Sequence, residues 1–258
     1  MDLELKGKTA LVTGSTAGIG LAIATTLAKE GAAVIVNGRT HQRVDDAVRA
    51  SGAANGIVAD LGTAAGARAV IERFPAVDIL VNNLGIFEPK GFEEIPDEDW
   101  LRFFEVNVMS GVRMSRHDIG PTRQKNWGRI VFISSESAVM IPKEMIHYGM
   151  TKTAQLAISR GLAETTAGTG ITVNAVLPGP TKSEGLVEFV GKLALAKGVD
   201  AATVEQETFR TARPSSLLRR FATTEEVAAV VAFVCSPLAS TMNGAAVRAE
   251  GGIIQSIA

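Results

Sequence analysis

Short apolar runs punctuate the chain, and between them lie longer stretches with apolar residues at helical spacing. The runs are Thr9–Thr13, Ala33–Val36, Gly56–Ala59, Asp78–Asn82, Arg129–Ser134 and Ile171–Leu177. They are almost wholly apolar rather than alternating, the pattern of parallel strands covered on both faces. Between the first two, Ile19, Ile23 and Leu27 recur every four residues, and Gly31 is placed to end that helix. A helix is also predicted over Thr224–Val234 and a last strand over Ala245–Ala249. Strand-helix alternation implies right-handed crossovers. The predicted fold class is therefore α/β, a doubly wound parallel sheet of about seven strands with helices on both faces. No linker or repeat divides it, so a single domain over residues 1–258 is expected.

One segment breaks the rhythm. From Thr181 to about Phe221 no strand is visible, while Gly185, Gly191, Gly198 and Pro214 interrupt the pattern. Connections this long in compact domains usually serve function. A helical flap over a ligand is predicted at about 181–221.

Composition narrows the function classes. Lys plus Arg total 26 against 27 for Asp plus Glu, a formal net charge of -1. That balance gives no support to a nucleic-acid or anionic-membrane partner, which would want clustered positive charge. The N-terminus lacks a signal-peptide pattern, and the longest apolar runs reach about half of the ~20 residues of a spanning helix. A cytoplasmic protein is expected. The one cysteine, Cys235, excludes an internal disulfide and lies in an apolar run, as a buried inert thiol would. His41, His117 and His147 stand too far apart for metal-ligand spacing, so no metal is expected.

Chemistry first shows after the first strand, in Thr13-Gly14-Ser15-Thr16-Ala17-Gly18-Ile19-Gly20. Glycines there let the backbone turn tightly and approach a pyrophosphate, whose charge meets the amides and dipole of the following helix. The spacing is Gly-x-x-x-Gly-x-Gly, and alone it also suits an ordinary strand-helix turn. The second strand ends in Val36-Asn37-Gly38-Arg39-Thr40, without the carboxylate that binds a ribose 2′-hydroxyl in NAD enzymes. A guanidinium can instead pair with a 2′-phosphate in two-pronged fashion. Arg39 thus selects NADP(H), with Ser15 or Thr40 as helpers. A solvated loop arginine and use of NAD(H) as well stay open.

Tyr148-Gly149-Met150-Thr151-Lys152 opens a helix after the fifth strand and contains the single tyrosine of the chain. Residues four apart share one helix face, so phenol and ammonium look into the same cleft. Lowering a phenol pKa from ~10 to ~7 takes about 4 kcal/mol. One cation at ~4 Å supplies energy of that order at an effective dielectric of ~20. Tyr148 can then give a proton to a developing alkoxide or take it back. Ser135, at the end of the fifth strand, is placed to hold a carbonyl beside it. No Gly-x-Ser-x-Gly elbow surrounds it, which argues against a serine hydrolase.

Taken together, the chain resembles the short-chain dehydrogenase/reductase family, in its compact branch that includes 3-oxoacyl-(acyl-carrier-protein) reductases. The matching signatures are Thr13–Gly20, Asp60-Leu61, Asn82-Asn83-Leu84-Gly85, Asn107, Ser135, Tyr148 with Lys152, and Pro178-Gly179. The resemblance implies a Rossmann-type fold and a catalytic set of Asn107, Ser135, Tyr148 and Lys152. It implies a nucleotide bound by Gly14, Ser15, Thr16, Gly18, Ile19 and Gly20. Asp60 and Leu61 would flank the adenine, with Asn83 and Gly85 bordering the adenosine ribose side. Lys152 would also bind the nicotinamide ribose, and Pro178, Gly179 and Thr181 would shape the nicotinamide pocket. Asn107 would kink its helix and hold a water that links Lys152 to solvent. Homotetramers or homodimers are implied as well. Two departures stand out: Leu84 replaces the family's usual alanine, and Glu250 replaces an aspartate near the last strand.

Substrate identity is less legible. Ile86, Phe87, Ser137, Met140, Met145, Ile146 and Leu186 are the expected pocket wall, mainly apolar and including adaptable methionines. That wall suits a medium apolar ketone or acyl chain, so a ketone or 3-oxoacyl thioester reductase is expected. The alternatives are a catabolic alcohol, diol or sugar dehydrogenase, and a non-catalytic nucleotide sensor, against which the full catalytic set speaks. Arg210, Arg213, Arg219 and Arg220 put charge at the flap end, either for an anionic group or as a solvated face. Glu136, directly after Ser135, is unusual there.

Overall fold

Each apolar run predicted above becomes a strand of one sheet in the computed structural model, which describes residues 1–257. The strands are β1 Thr9–Val12, β2 Ala33–Gly38, β3 Asn55–Val58, β4 Ile79–Asn82, β5 Gly128–Ile133, β6 Ile171–Pro178 and β7 Ala246–Ala249. They lie in the order β3-β2-β1-β4-β5-β6-β7 and every pairing is parallel. The described residues form nine α-helices: α1 Gly18–Lys29, α2 His41–Ser51, α3 Ala64–Arg73, α4 Asp97–Phe104, α5 Ser110–Lys125, α6 Ile146–Glu164, α7 Glu184–Lys197, α8 Ala201–Glu207 and α9 Thr224–Cys235.

Successive strand side chains point to opposite faces, which divides the core in two. Ala10, Val12, Val34, Val36, Val131 and Ile133 pack against α1, α2 and α9. Leu11, Ile35, Leu80, Ile130, Phe132 and Val173 pack against α3, α5 and α6. Both faces are covered, which is why the strands read as unbroken apolar runs. Gly31 ends α1 as expected, with φ +88.

Strand order reverses between β1 and β4, and at such a switch point the carboxyl ends of the strands leave a crevice. Four segments converge there: the glycine turn after β1, Asn83–Gly85 after β4, Ser135 after β5 and Gly179 after β6. Differences from the expected bounds are small. β2 continues to Gly38, and β5 stops at Ile133, so Ser135 lies beyond the strand and caps a short turn over Glu136–Ala138. Asn107 lies in a π-helical segment, Glu105–Met109, that joins α4 to α5; this is the predicted distortion of its helix.

The predicted flap is helical. α7, α8 and a second π-helical segment, Thr208–Ala212, enclose a separate small core of Val190, Ala194, Val204, Phe209 and Phe221. Its two ends are joined by a parallel bridge between Thr181 and Ala222. No helix among the described residues is long and apolar enough to cross a membrane. Cys235 is fully buried, and burial pushes its thiol up to about 12.

Candidate active site

The glycine turn is held by side chains from the neighbouring strands. Asn37 Oδ1 accepts from Gly14 N at 3.2 Å, and Asn83 Nδ2 donates to the carbonyls of Thr13 and Gly14 at 2.9 Å each. Helix α1 then starts at Gly18 with Ala17 as N-cap, and no side chain caps its first amides. Those amides open on a cavity lined by Gly14, Gly18, Ile19 and Gly20. An uncapped helix start on an open cleft is what an anionic pyrophosphate requires, so these residues fit a dinucleotide.

Not every predicted nucleotide residue is placed to touch one. Ser15 is fully buried; its hydroxyl donates to Val12 O at 2.7 Å and accepts from Asn37 N at 2.9 Å. It locks β1 to β2 and cannot serve a 2′-phosphate. Leu61 is 1% exposed in the core below the sheet, so only its backbone can face an adenine. Asp60 is exposed, with Oδ1 accepting from Gly62 N at 3.0 Å. Thr16 packs against Gly38, while Arg39 and Thr40 are exposed just past β2. Gly85 lies beside Lys152 and Asn107. Asn83 lines the cavity, but its amide hydrogens brace the glycine turn. Pro178, Gly179 and Thr181 all line the cavity, and Thr181 Oγ1 donates to Gly179 O at 2.8 Å.

Ser135, Tyr148 and Lys152 line the same cavity. Helix α6 is pinned behind them: Ser134 Oγ donates to Lys152 O at 2.9 Å and Thr153 Oγ1 to Ala138 O at 2.7 Å. Lys152 Nζ donates to Ile133 O at 2.8 Å and to Gln155 Oε1 at 3.3 Å, and it stands 5.6 Å from the centre of the Tyr148 ring. Burial pushes this ammonium down to about 7. Burial also raises the Tyr148 phenol above its ordinary value; a hydrogen bond with Ser135 opposes the rise, nearby Glu136 adds to it and Arg213 opposes it. The lowering expected from Lys152 does not appear in this state, where burial dominates.

Asn107 is buried, and its side chain clamps the loop after β4. Oδ1 accepts from Ile86 N at 2.8 Å, while Nδ2 donates to Ile86 O and Thr151 Oγ1, each at 3.0 Å. Its carbonyl accepts from Gln155 Nε2 at 2.6 Å. Gln155 is 1% exposed and has no sequence signal; three residues after Lys152 on α6, it reads as an ordinary helix glutamine.

The cavity has a volume of about 610 Å³, within the usual range for small-molecule sites. Phe87, Ser137, Met145 and Leu186 line it as predicted, and Phe87 meets Tyr148 edge to face at 6.4 Å between ring centres. Met140 does not line it: the turn after Ser135 carries Met140 outward, where it is 38% exposed. The flap adds Phe189, Val190, Leu193, Val204 and Phe221, a wall the sequence located only as a segment. Of the four flap arginines only Arg213 enters the cavity. Its Nε donates to Glu136 Oε1 at 2.9 Å, and Glu136 Oε2 accepts from Ser135 Oγ at 2.5 Å. Arg220 instead pairs with Glu226 on α9. Glu250 holds the C-terminal segment through Ile254 N at 3.2 Å, and its backbone packs against Gly179.

Comparison with known proteins agrees with this geometry. Residues 14–254 match the family model described as Enoyl-(Acyl carrier protein) reductase. The chain is 48% identical to the uncharacterized oxidoreductase YvaG of Bacillus subtilis (strain 168), over the full length of both. It is 30% identical to the 3-oxoacyl-(acyl-carrier-protein) reductase FabG of Aquifex aeolicus (strain VF5), covering 98% of this chain and 100% of that one. Among solved structures, L-sorbose reductase from Gluconobacter frateurii, in complex with NADPH and L-sorbose, superimposes with a TM-score of 0.92 at 31% identity over the whole of both chains. With the family match spanning nearly all of the sheet and its crevice, the chain belongs to the short-chain dehydrogenase/reductase family of oxidoreductases.

Proposed function

We propose that this oxidoreductase is an NADP(H)-dependent carbonyl reductase acting on a medium-sized apolar ketone or a 3-oxoacyl thioester. One observation carries the reading: Tyr148, Ser135 and Lys152 share one end of a cavity whose remaining wall, from Phe87 to the flap residues Leu186 and Phe189, is mainly apolar, with Glu136 and Arg213 set into it. When bound, the nicotinamide supplies the hydride. Gly14, Gly18, Ile19 and Gly20 would hold the pyrophosphate, Arg39 and Thr40 a 2′-phosphate, Asp60 and the Leu61 backbone the adenine. Pro178, Gly179 and Thr181 would border the nicotinamide. Ser135 orients the substrate oxygen, Tyr148 gives it a proton, and Lys152 holds ribose hydroxyls and supports the phenolate left behind. Asn107 and Gln155 fix Lys152 in place. The flap excludes water, which strengthens each of these interactions.

A second reading, a hydroxylated ketone or sugar, is favoured by the Glu136–Arg213 pair beside Ser135 and by the similarity to L-sorbose reductase. The two separate in a panel of NADPH oxidations with acetoacetyl-coenzyme A, ethyl acetoacetate and L-sorbose. The proposal expects the highest kcat/KM with one of the first two. Preference for L-sorbose transfers the assignment to the second reading, and no turnover with any carbonyl removes both.

The proposed setting is cytoplasmic, in keeping with one buried free thiol. The proposed assembly is a homotetramer or homodimer, supported by Leu101 and Phe104, which α4 leaves exposed, and by β7 at the sheet edge. Light scattering on the purified protein reads the state directly.

A further inference from the structure

The cavity at Tyr148 is mainly apolar, yet the flap sets one guanidinium into its reacting end, that of Arg213. Arg213 closes the second π-helical segment. Its N donates to Thr208 O at 2.9 Å, and its carbonyl accepts from Ser216 N at 3.1 Å. The side chain is fixed as firmly. Nε donates to Glu136 Oε1 at 2.9 Å, while Nη1 donates to Ala212 O at 2.9 Å and stands 3.6 Å from Glu144 Oε1. Nη2 bonds no group among the described residues.

A guanidinium presents its N–H donors in a rigid planar fork. With Nε and Nη1 engaged, the Nη2 hydrogens are donors already ordered for a ligand. Glu136 ties this fork to the catalytic cluster, since its Oε2 accepts from Ser135 Oγ at 2.5 Å. The charges of Glu136 and Arg213 act on the Tyr148 phenol in opposite senses, after burial and the Ser135 hydrogen bond. One carboxylate therefore spans the gap between Ser135 and Arg213. An oxygen held by the fork sits beside the reacting oxygen, as in a 1,3-dicarbonyl group. The Arg213 and Glu136 side chains are only 12% and 4% exposed, so water screens a bond there weakly.

Charge decides which oxygen suits the fork. Arg213 faces two carboxylates, Glu136 and Glu144, so its positive charge is already more than matched. A substrate carboxylate would meet a net negative corner and be repelled. An uncharged carbonyl oxygen gains a charge-assisted bond without bringing charge of its own.

We propose that Arg213 is a specificity-determining residue whose Nη2 donates to a second, uncharged carbonyl oxygen of the substrate, two carbons from the ketone reduced at Tyr148. The preferred class is then a 3-oxo ester or thioester, above a plain ketone of equal length and above a free 3-oxo acid. Glu136 is a positioning residue that holds the fork. The inference rests on the carbonyl-reductase reading proposed above.

The test uses the full-length protein with NADPH, ethyl acetoacetate and 2-heptanone, a ketone of the same chain length without the second carbonyl. Burial of apolar surface alone favours 2-heptanone; the proposal expects kcat/KM for ethyl acetoacetate to be higher by about tenfold or more. In Arg213→Met the ratio of the two kcat/KM values should fall about ten- to a hundredfold. Mere damage to the fold lowers both rates together, and the greater intrinsic reactivity of the keto ester is common to both proteins, so neither moves this comparison. Arg213→Met leaves Glu136 buried without its partner. If that variant does not fold, Arg213→Met combined with Glu136→Gln removes the stranded charge and should show the same fall. Acetoacetate should have a kcat/KM about tenfold or more below that of its ethyl ester. A ratio within about twofold of wild type in a folded Arg213 variant overturns the inference, as does a wild type that prefers 2-heptanone or takes acetoacetate as well as its ester. A wild type inactive on every carbonyl, or an active Tyr148→Phe, instead overturns the carbonyl-reductase reading itself.

Discussion

The ammonium of Lys152 stands 5.6 Å from the centre of the Tyr148 ring and is bonded to the Ile133 carbonyl instead of the phenol oxygen. The two groups share one buried end of the cleft without a hydrogen bond between them. Burial weakens the charge on Lys152, bringing it down to about 7, and disfavours phenolate at Tyr148. This state resists forming the charges that proton transfer requires. A bound nucleotide that gives Lys152 hydroxyl and anionic partners would reverse the first effect.

That reversal has a measurable sign. With its pKa lowered to about 7, Lys152 is largely neutral at pH 8 in the free protein and charged at pH 6. If binding NADPH requires the ammonium, binding at pH 8 takes up close to one proton, and binding at pH 6 close to none. Calorimetry at pH 8 in two buffers of different ionisation enthalpy measures this directly. Lys152→Met should abolish the uptake. Equal uptake at the two pH values would mean that Lys152 does not titrate there.

Replacing Tyr148 by Phe removes one oxygen from a cluster otherwise held by Ser134, Thr153 and Gln155. NADPH affinity should stay within about twofold, while turnover falls by about two to four orders of magnitude, the usual contribution of a positioned proton donor. Steady-state rates with ethyl acetoacetate, alongside fluorescence titration with NADPH, check both halves.

Arg39 is exposed past β2, whereas Arg43, one turn into α2, pairs with Glu184 of the flap at 2.7 Å. Arg39 is thus the guanidinium available to a 2′-phosphate at this edge. A charge-assisted bond contributes about 1.5–3 kcal/mol, so NADPH should bind more tightly than NADH by a factor of about ten to a hundred. Arg39→Ala should erase most of that difference and leave NADH affinity alone. Equal affinities in the wild-type protein would rule out the selector.

Much of this was legible in the chain, for identifiable reasons. Strands buried on both faces leave apolar runs, and the Tyr148–Lys152 spacing places two groups on one helix face whatever surrounds them. Other features depend on what lies across space. Gln155 links Lys152 to the backbone of Asn107 only because that carbonyl lies 2.6 Å away across space. Ser15 stands inside the glycine motif, yet the fold turns it toward Asn37, away from any ligand. Arg213 looks like its neighbours Arg210 and Arg220 until Glu136, 77 residues distant in sequence, meets it. Periodicity reports the face a residue shares, not the partner it finds there.

Asp118, buried on the sheet side of α5, has no hydrogen-bond partner at Oδ2. Burial raises its carboxyl to about 7, with Lys125 opposing. The folded state therefore binds this proton more tightly than the unfolded chain does. Stability from this group is complete below the ordinary value of 3.8 and is lost as pH rises through 7. The loss is on the order of 4 kcal/mol between pH 4 and pH 8. Asp118→Asn lacks the titration, so its Tm should exceed that of wild type by several degrees at pH 8 and converge with it near pH 4. A constant gap between the two melting curves across this range would refute the assignment.

Two glycines make opposite forecasts from one substitution. A Cβ on Gly20 would stand 2.6 Å from Gly14 O and 2.9 Å from the Ser15 Cα. Those atoms are backbone, so they cannot swing aside, and the glycine turn itself would have to move. Overpacking of this kind costs about 1–3 kcal/mol, and the displaced amides would be lost to a pyrophosphate. Gly191, inside α7 of the flap, meets nothing within 4 Å. There the added methyl removes only the entropic weakness of glycine in a helix, a gain of up to about 1 kcal/mol. Gly20→Ala should thus lower both Tm and NADPH affinity, while Gly191→Ala should raise Tm slightly and leave affinity unchanged. Thermal melts with and without NADPH separate the two: the cofactor-induced rise in Tm shrinks for Gly20→Ala and is kept by Gly191→Ala. A full cofactor shift in Gly20→Ala would mean that the pyrophosphate is held elsewhere than at the start of α1.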